Sequence, residues 1–294
     1  VLASGMHLPY GPDSIPSHMH ISLKGKRAIA KNDMMVYEML ARANWKRPLY
    51  MSVTLGESNY AGLREYCVLE GLAYRVTPFK VGGNYIDTET MYKNVMHQFK
   101  FGNIGQPGIY LDETTIRMCN THRGMLVALA SALYAEGKPE KALDILLKCE
   151  DMIPGSNVPY EYLGVGYNHE EGLFEMPDLF QKMGHNKEAE RILLSLIKEA
   201  HQNLEWYNSL NDGVGREYIE RTIFKIGIND LSSSLKGYGR NAERNWIFYS
   251  SALQGLENCG SEHAKFYRDY LNNLINTPVG NLIAMRMMGD MPQQ

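Results

Sequence analysis

The sequence predicts a mainly α protein in which stacked helical hairpins follow a small α/β region. The first observation is a motif of a turn glycine followed by an amphipathic helix, which begins at Gly137 and recurs at Gly184. The second is that short β-branched and aromatic segments alternate with helical ones only upstream of Gly105. We therefore expect a small α/β region over residues 1–108 and a helical domain over residues 109–294.

In the α/β region, helical periodicity alternates with segments of strand composition. Either Asn32 or Asp33 can cap the first helix. We expect three helices, over residues 32–44, 58–69 and 88–101. We expect two strands, over residues 49–54 and 73–77. Asp112 can cap the helix that leads into the hairpins.

The first hairpin has one apolar face on each of its two helices. Upstream of the turn, apolar residues recur at three- and four-residue spacing: Leu126, Leu129, Ala130 and Leu133. Downstream of it, Ala142 and Leu146 continue the pattern until Pro154 ends the helix. Small residues at Ala130 and Ala142 allow the two helices to approach closely. This pattern resembles the tetratricopeptide repeat, which implies a tetratricopeptide-like helical hairpin solenoid preceded by the small α/β region.

The second hairpin departs from this pattern. Pro177 takes the place of Ala130 and His201 takes the place of Pro154, so we expect its first helix to be short or kinked. Residues 155–172, between the two copies, form an insertion that we expect to be a loop and where function is to be sought. A third hairpin is expected over residues 241–276.

Composition and charge exclude several classes of partner. The net charge is −3 and the charged residues are interspersed, so nucleic acid is not an expected partner. The four cysteines form no CxxC pair, and we interpret them as buried thiols. In an oxidising compartment, a disulfide between two of them is the alternative interpretation. The chain begins at Val1 without an initiator Met, so we expect it to be a fragment. Its longest apolar run, residues 125–135, is too short to span a bilayer, so we expect a soluble piece.

No motif in the sequence predicts catalysis, a metal or a cofactor. The segment 50–66 has no Lys, and its loop at 55–59 contains one glycine, so it matches neither a phosphate-binding loop nor a dinucleotide fingerprint. GxSxG and HExxH motifs are absent from the sequence. His18 and His20 share one side of an extended segment, but a metal needs a further ligand, so a solvated segment is the favoured interpretation. We expect no catalytic residue and no cofactor.

Aromatic residues near the hairpin ends and in the insertion are the candidate binding residues. Amphipathic rings at such places can line a groove, and packing is the alternative for each of them. The insertion also places a His beside carboxylates, which suits either acid–base chemistry or a solvated loop. The candidate residues are Tyr134, Tyr160, Tyr162, Tyr167, Asn168, His169 and Trp206.

Three strings carry a wider family resemblance: WKRPLY at 45–50, LEGLAYR at 69–75 and PGIYLDE at 107–113. They resemble the soluble C-terminal region of Bacteroidetes multi-pass membrane proteins whose N-terminal half is similar to protein O-mannosyltransferases of the GT-C type. The resemblance runs from about residue 20 to 200. It implies a periplasmic, soluble domain of an inner-membrane protein, with glycosyl transfer performed in a membrane part absent here. It transfers no functional residue.

Two functions remain open at this point, with a purely structural plug on the membrane part as a third. The leading hypothesis is a non-catalytic accessory domain of a membrane glycosyltransferase-like protein. It would bind a polypeptide acceptor, or its own membrane domain, through a helical-repeat surface. The alternative is a glycan-binding or enzymatic module with a site between the α/β region and the solenoid. Membrane contact is expected only through the absent N-terminal part.

Overall fold

A computed structural model of the chain describes residues 16, 18–23, 28–82, 85–160, 173–209, 236–277, 280–281 and 283, with side chains of 236–243 left out. The protein is mainly helical, with a small sheet near its N-terminus. Its contacts define two units. The first unit comprises Val1–Tyr110 and Met118–Asn157, and the second comprises Leu111–Arg117 and Val158–Gln294.

The sheet of the first unit has four short strands in the described residues. They are β1 (Tyr50–Ser52), β2 (Cys67–Leu69), β3 (Ala73–Val76) and β4 (Tyr85–Ile86). Their order is β1-β3-β2-β4, with β3 antiparallel to both neighbours and β4 parallel to β2. The two strands predicted at 49–54 and 73–77 are confirmed as β1 and β3. The sequence did not predict β2 or β4, which span three and two residues.

The prediction of a helix over residues 58–69 is wrong. The chain makes two 3₁₀ turns there, Glu57–Asn59 and Arg64–Tyr66, and then enters β2. Between the turns, Ala61 and Gly62 have φ angles of 53° and 76°, which a right-handed helix cannot contain. The carbonyl oxygen of Ser22 lies 2.8 Å from where a Cβ on Gly62 would stand, so the extended N-terminal segment packs closely on this break.

Two of the three predicted helices of this region are confirmed: α1 (Lys31–Ala43) and α2 (Thr88–His97). The capping residue of α1 differs from the prediction. The helix starts after Ala30, and the Asp33 carboxylate accepts a hydrogen bond from the Ala30 N–H at 3.4 Å from inside the first turn. Asp87 caps α2 by accepting a hydrogen bond from the Thr90 N–H at 3.0 Å.

The other helices pair into three hairpins. They are α3 (Glu113–Ala135) with α4 (Pro139–Met152), α5 (Glu175–Lys182) with α6 (Asn186–Ser209), and α7 (Lys236–Asn258) with α8 (Ala264–Ile275). Asp112 caps α3 as predicted, accepting from the Thr115 N–H at 2.8 Å. The short first helix predicted for the second hairpin is confirmed, since α5 has 8 residues and contains Pro177. The hairpin expected over 241–276 is confirmed as α7 and α8.

Each hairpin turns on a glycine with the same backbone geometry. The φ angles are 75° at Gly137, 81° at Gly184 and 69° at Gly260. In the first turn, the Gly137 N–H donates to the Tyr134 carbonyl at 3.0 Å and the Lys138 N–H donates to the Leu133 carbonyl at 2.9 Å. The same pair of bonds closes α5 and α7. This double closure with a left-handed residue after the helix satisfies carbonyls that would otherwise lack partners.

The predicted apolar faces are buried. Ala130 and Ala142, the small residues of the first hairpin, are both fully buried in the first unit. In the second unit the close approach falls on Gly255 of α7, where a Cβ would stand 2.8 Å from a Leu193 methyl carbon on α6. A small residue therefore sets the contact distance between α6 and α7 in the second unit.

Candidate functional site

The structure places three of the candidate binding residues, and the remaining four lie outside the described residues: Tyr162, Tyr167, Asn168 and His169. Tyr134 is half-buried in the last turn of α3, in the first unit. Tyr160 is buried in the second unit, and its hydroxyl accepts a hydrogen bond from Arg191 Nη1 at 3.2 Å. Trp206, on α6, is 47% exposed and meets the Tyr207 ring edge to face at 4.9 Å between centroids.

A cavity opens beside this part of α6, and we call it the α6–α8 groove. Its volume is about 280 Å³. Its lining comes from the last turns of α6 and of α8 and from the turn that follows: Glu205, Asn208, Ser209, Tyr270, Asn273, Leu274 and Thr277. Residues three and four apart share one face of a helix, which explains why these positions meet.

Two hydroxyls of the groove are already engaged by the backbone. Ser209 Oγ donates to the Trp206 carbonyl at 2.6 Å. Thr277 Oγ1 donates to the Leu274 carbonyl at 2.7 Å and accepts from the Gly280 N–H at 3.1 Å. The groove's other polar groups are the Glu205 carboxylate, the Tyr270 phenol and the two amides described next.

The amides belong to Asn208 on α6 and Asn273 on α8. The Asn208 Oδ1 atom is buried and has no hydrogen-bond partner among the described residues. An unsatisfied buried acceptor costs about 1–3 kcal/mol, so a ligand that donates a hydrogen bond there recovers this energy. The groove thus has one acceptor to which no residue of the described ranges donates a hydrogen bond.

His201, one turn before Glu205, connects the groove to an aromatic cluster. Its Nε2 lies 3.6 Å from Glu205 Oε1, and its ring centroid lies 4.0 Å from that of Tyr270. The rings of Tyr249, Phe266 and Tyr267 complete the cluster. The Tyr249 hydroxyl donates to the Tyr267 carbonyl at 2.7 Å. This packing holds the Tyr270 ring in place at the groove.

The titration behaviour of the groove suits recognition. Burial, with a further contribution from Glu205, raises the pKa of Tyr270 to about 12. Burial also raises the pKa of Tyr249 and of Tyr267. These phenols therefore stay protonated at neutral pH and act as hydrogen-bond donors rather than as bases. Among the described residues, no group of three or more His, Cys, Asp or Glu side chains is placed to hold a metal ion.

The four cysteines are free thiols. Cys67, Cys119 and Cys149 are buried, and Cys259 is partly buried. Burial raises the pKa of Cys67 and of Cys149 to about 11, so neither is a thiolate at neutral pH. The interpretation of three of them as buried thiols is confirmed.

The chain's first third is similar to a domain associated with a membrane glycosyltransferase-like protein. Residues 1–95 match the family model of TMEM260-associated domain 2. TMEM260 is a membrane protein similar to protein O-mannosyltransferases. The strings at 45–50 and 69–75 lie inside the matched residues, and the string at 107–113 lies beyond them.

No curated protein and no solved structure matches the chain. In the described part of the chain, no helix combines the length and the apolar character that crossing a membrane requires.

Sequence reasoning missed most of the groove. It selected Trp206, which adjoins the groove along the chain, but not Asn208 or Asn273. These two amides are polar residues on partly exposed helix faces, a pattern that most solvated helices share. Only the approach of the last turns of α6 and α8 in the folded chain brings them together, and periodicity does not specify that approach.

Proposed function

We propose that the chain is a non-catalytic accessory module of a membrane glycosyltransferase-like protein, lying on the periplasmic side of the membrane. Its helical hairpins, of tetratricopeptide type, bind a polypeptide, which is the acceptor or the protein's own membrane domain. The match of residues 1–95 to the TMEM260-associated domain supports the glycosyltransferase context. The three identical glycine turns support the hairpin class.

The observation that carries polypeptide binding is the pair of amides in the α6–α8 groove. A side-chain amide complements a peptide group, since its oxygen accepts from the peptide N–H and its nitrogen donates to the peptide carbonyl. The buried Asn208 Oδ1, which has no partner in the part of the chain that the structure describes, would be satisfied by such an N–H. Glu205 adds a preference for a Lys or Arg in the bound segment.

Selection of a random-peptide library against the chain, followed by affinity measurements on the enriched peptide, tests this function. By fluorescence anisotropy we expect Asn208→Ala and Asn273→Ala each to weaken binding by about fivefold, the effect of one lost hydrogen bond. Asn272→Ala changes an exposed amide that does not line the groove and is the matched control. Far-UV circular dichroism verifies that each variant is folded.

Two results would contradict polypeptide binding. One is the failure of any peptide to be enriched. The other is an enriched peptide whose affinity is unchanged in both groove variants, or falls equally in the Asn272→Ala control.

Glycan binding is the second candidate, and Tyr270 favours it. The Tyr270 ring can stack on the face of a sugar. The two amides and the carboxylate around the ring can form hydrogen bonds with the sugar hydroxyls. Incubation with a glycan array separates the two candidates. Binding of an oligosaccharide that Tyr270→Ala abolishes, without any enriched peptide, would replace the polypeptide by a glycan. Turnover of a sugar donor by the isolated chain would overturn the non-catalytic assignment.

A further inference from the structure

The first unit contains a larger cavity that the proposed function does not use. Its volume is about 490 Å³, within the range of about 300–1,000 Å³ typical of small-molecule sites. One wall is the extended N-terminal segment and the other is the chain around β2 and after β3. The lining residues relevant to binding are His18, Met19, His20, Tyr66, Phe79 and Lys80. None of them lines the α6–α8 groove.

The walls of this cavity are held by hydrogen bonds. The Tyr66 hydroxyl donates to the His20 carbonyl at 2.5 Å and so ties the extended segment to the core. Thr77 Oγ1 donates to the Tyr66 carbonyl at 3.1 Å and accepts from the Phe79 N–H at 3.3 Å. The Val81 N–H donates to the Glu65 carbonyl at 2.8 Å, and this bond fixes the backbone next to Lys80. The site is therefore largely formed before any ligand arrives.

The floor of the cavity is apolar and aromatic. The Tyr66 and Phe79 side chains are buried, and Met19 is half-buried beside them. Sulfur and ring faces make favourable contacts with both aromatic and aliphatic groups. This lining suits the body of a ligand rather than an ion alone.

The polar groups of the cavity donate hydrogen bonds. The described residues that line it include two imidazoles and one ammonium, and they include no carboxylate. Lys80 Nζ pairs with Glu65 at 2.9 Å, and this hydrogen bond and charge raise the pKa of Lys80, which keeps it protonated. An ammonium has three N–H donors, and an exposed ion pair of this kind is weak, so Lys80 can also serve a bound anion.

We propose that this cavity binds a small organic acid with an aromatic or aliphatic body. The body lies against Tyr66, Phe79 and Met19. The carboxylate accepts hydrogen bonds from Lys80 and from the imidazole N–H groups of His18 and His20. Charge-assisted bonds to the acid supply the selectivity for an acid over a neutral molecule of the same shape.

Isothermal titration calorimetry on the full chain tests this with two matched probes, 4-phenylbutyrate and the neutral 4-phenylbutan-1-ol. We expect the acid to bind about tenfold more tightly than the alcohol, as charge-assisted hydrogen bonds require. Lys80→Gln reduces the affinity for the acid by about tenfold and leaves that for the alcohol unchanged. Lys93→Gln changes an exposed lysine outside the cavity and is the control. The imidazole proton signals of His18 and His20 shift in NMR spectra when the acid is added.

Equal affinities for the acid and the alcohol would overturn the proposal, as would the absence of binding by either probe. The same loss of acid binding in Lys93→Gln as in Lys80→Gln would assign the effect to overall charge and would also overturn it. These outcomes are independent of the peptide measurements, because the two sets of variants share no residue.

Discussion

Single residues determine where this chain turns. Gly137, Gly184 and Gly260 adopt the left-handed conformation that closes a helix, and the chain uses the same pair of hydrogen bonds at each. Two of these turns were predicted from a repeated motif, because glycine is the residue that adopts this conformation without steric cost.

Two Gly→Ala substitutions, one within α3 and one in the turn that follows it, are expected to have opposite effects. Gly137→Ala places a Cβ in a left-handed conformation and lowers the free energy of unfolding by about 1–2 kcal/mol. Gly124 lies on the exposed face of α3 with no atom within 4 Å of its Cβ position. Gly124→Ala therefore raises the free energy of unfolding by about 0.5–1 kcal/mol. Urea denaturation of both variants measures this, and two changes of the same sign would contradict it.

When a residue other than glycine adopts the left-handed conformation, its identity does not predict that conformation. Ala61 has a φ of 53°, and nothing in its identity indicates this. Alanine is instead the strongest helix former, which explains why the segment 58–69 was wrongly predicted as a helix. At this break the extended N-terminal segment packs against Gly62, a contact between residues distant in sequence that local composition does not reveal.

At the scale of elements, α2 is attached to the turn between α3 and α4 by charged and polar contacts. Glu89 on α2 pairs with Lys138 and with Lys141, at 2.8 Å each. The Thr88 hydroxyl donates to Glu136 at 2.9 Å, and the Tyr92 hydroxyl donates to Asp144 at 2.7 Å. These contacts lie within the first unit and fix the position of α2 on the hairpin.

The pH dependence of stability is expected to report on Glu89. Hydrogen bonds from Lys138 first, and then from Lys141, lower the pKa of Glu89 from 4.5 to about 2. Because the folded-state pKa is the lower one, this carboxylate stabilises the fold above about pH 4.5 and the contribution is lost as pH falls towards 2. The pair is largely exposed, so the effect is small and decreases with salt.

Calorimetric melting between pH 6 and pH 2.5 measures this contribution. We expect Glu89→Gln to lower the melting temperature at pH 6 and to have less effect at pH 2.5. Glu140→Gln changes an exposed carboxylate of the same region and is the control. A Glu89→Gln effect that is independent of pH would show that the ion pairs contribute nothing.

The helices were the most predictable elements. Periodicity over ten or more residues defined α2, α3, α4 and α6 because one face of each is buried. Length alone does not decide which strands were predicted, because β1 and β2 both have three residues and only β1 was predicted. The segment 49–54 around β1 has strand composition, whereas β2 lies at the end of the segment predicted as a helix, and β4 has only two residues. The strands that the sequence could predict were therefore β1 and β3, whose flanking residues also have strand composition.

At the scale of the whole molecule, the similarity to a TMEM260-associated domain extends over residues 1–95 of the chain. The α6–α8 groove lies beyond it, in the second unit. The proposed context in a membrane glycosyltransferase-like protein and the proposed binding function thus depend on different parts of the chain and can be tested separately.

The context is tested by the reading frame upstream of Val1. We expect it to encode several apolar segments of about 20 residues, the length that crosses a bilayer as a helix. Sequencing of the genomic locus determines this directly. A frame without such segments would contradict the membrane context and leave the results for both cavities unaffected.

One substitution in the repeat has an effect on the architecture of the second unit. In the first hairpin α4 ends at Met152, just before Pro154, while at the equivalent His201 the helix α6 has no proline and continues to Ser209. Every residue that α6 contributes to the groove lies in this continuation. The α6 wall of the groove therefore depends on the absence, in this copy of the repeat, of the proline that follows α4, and it needs no insertion of chain.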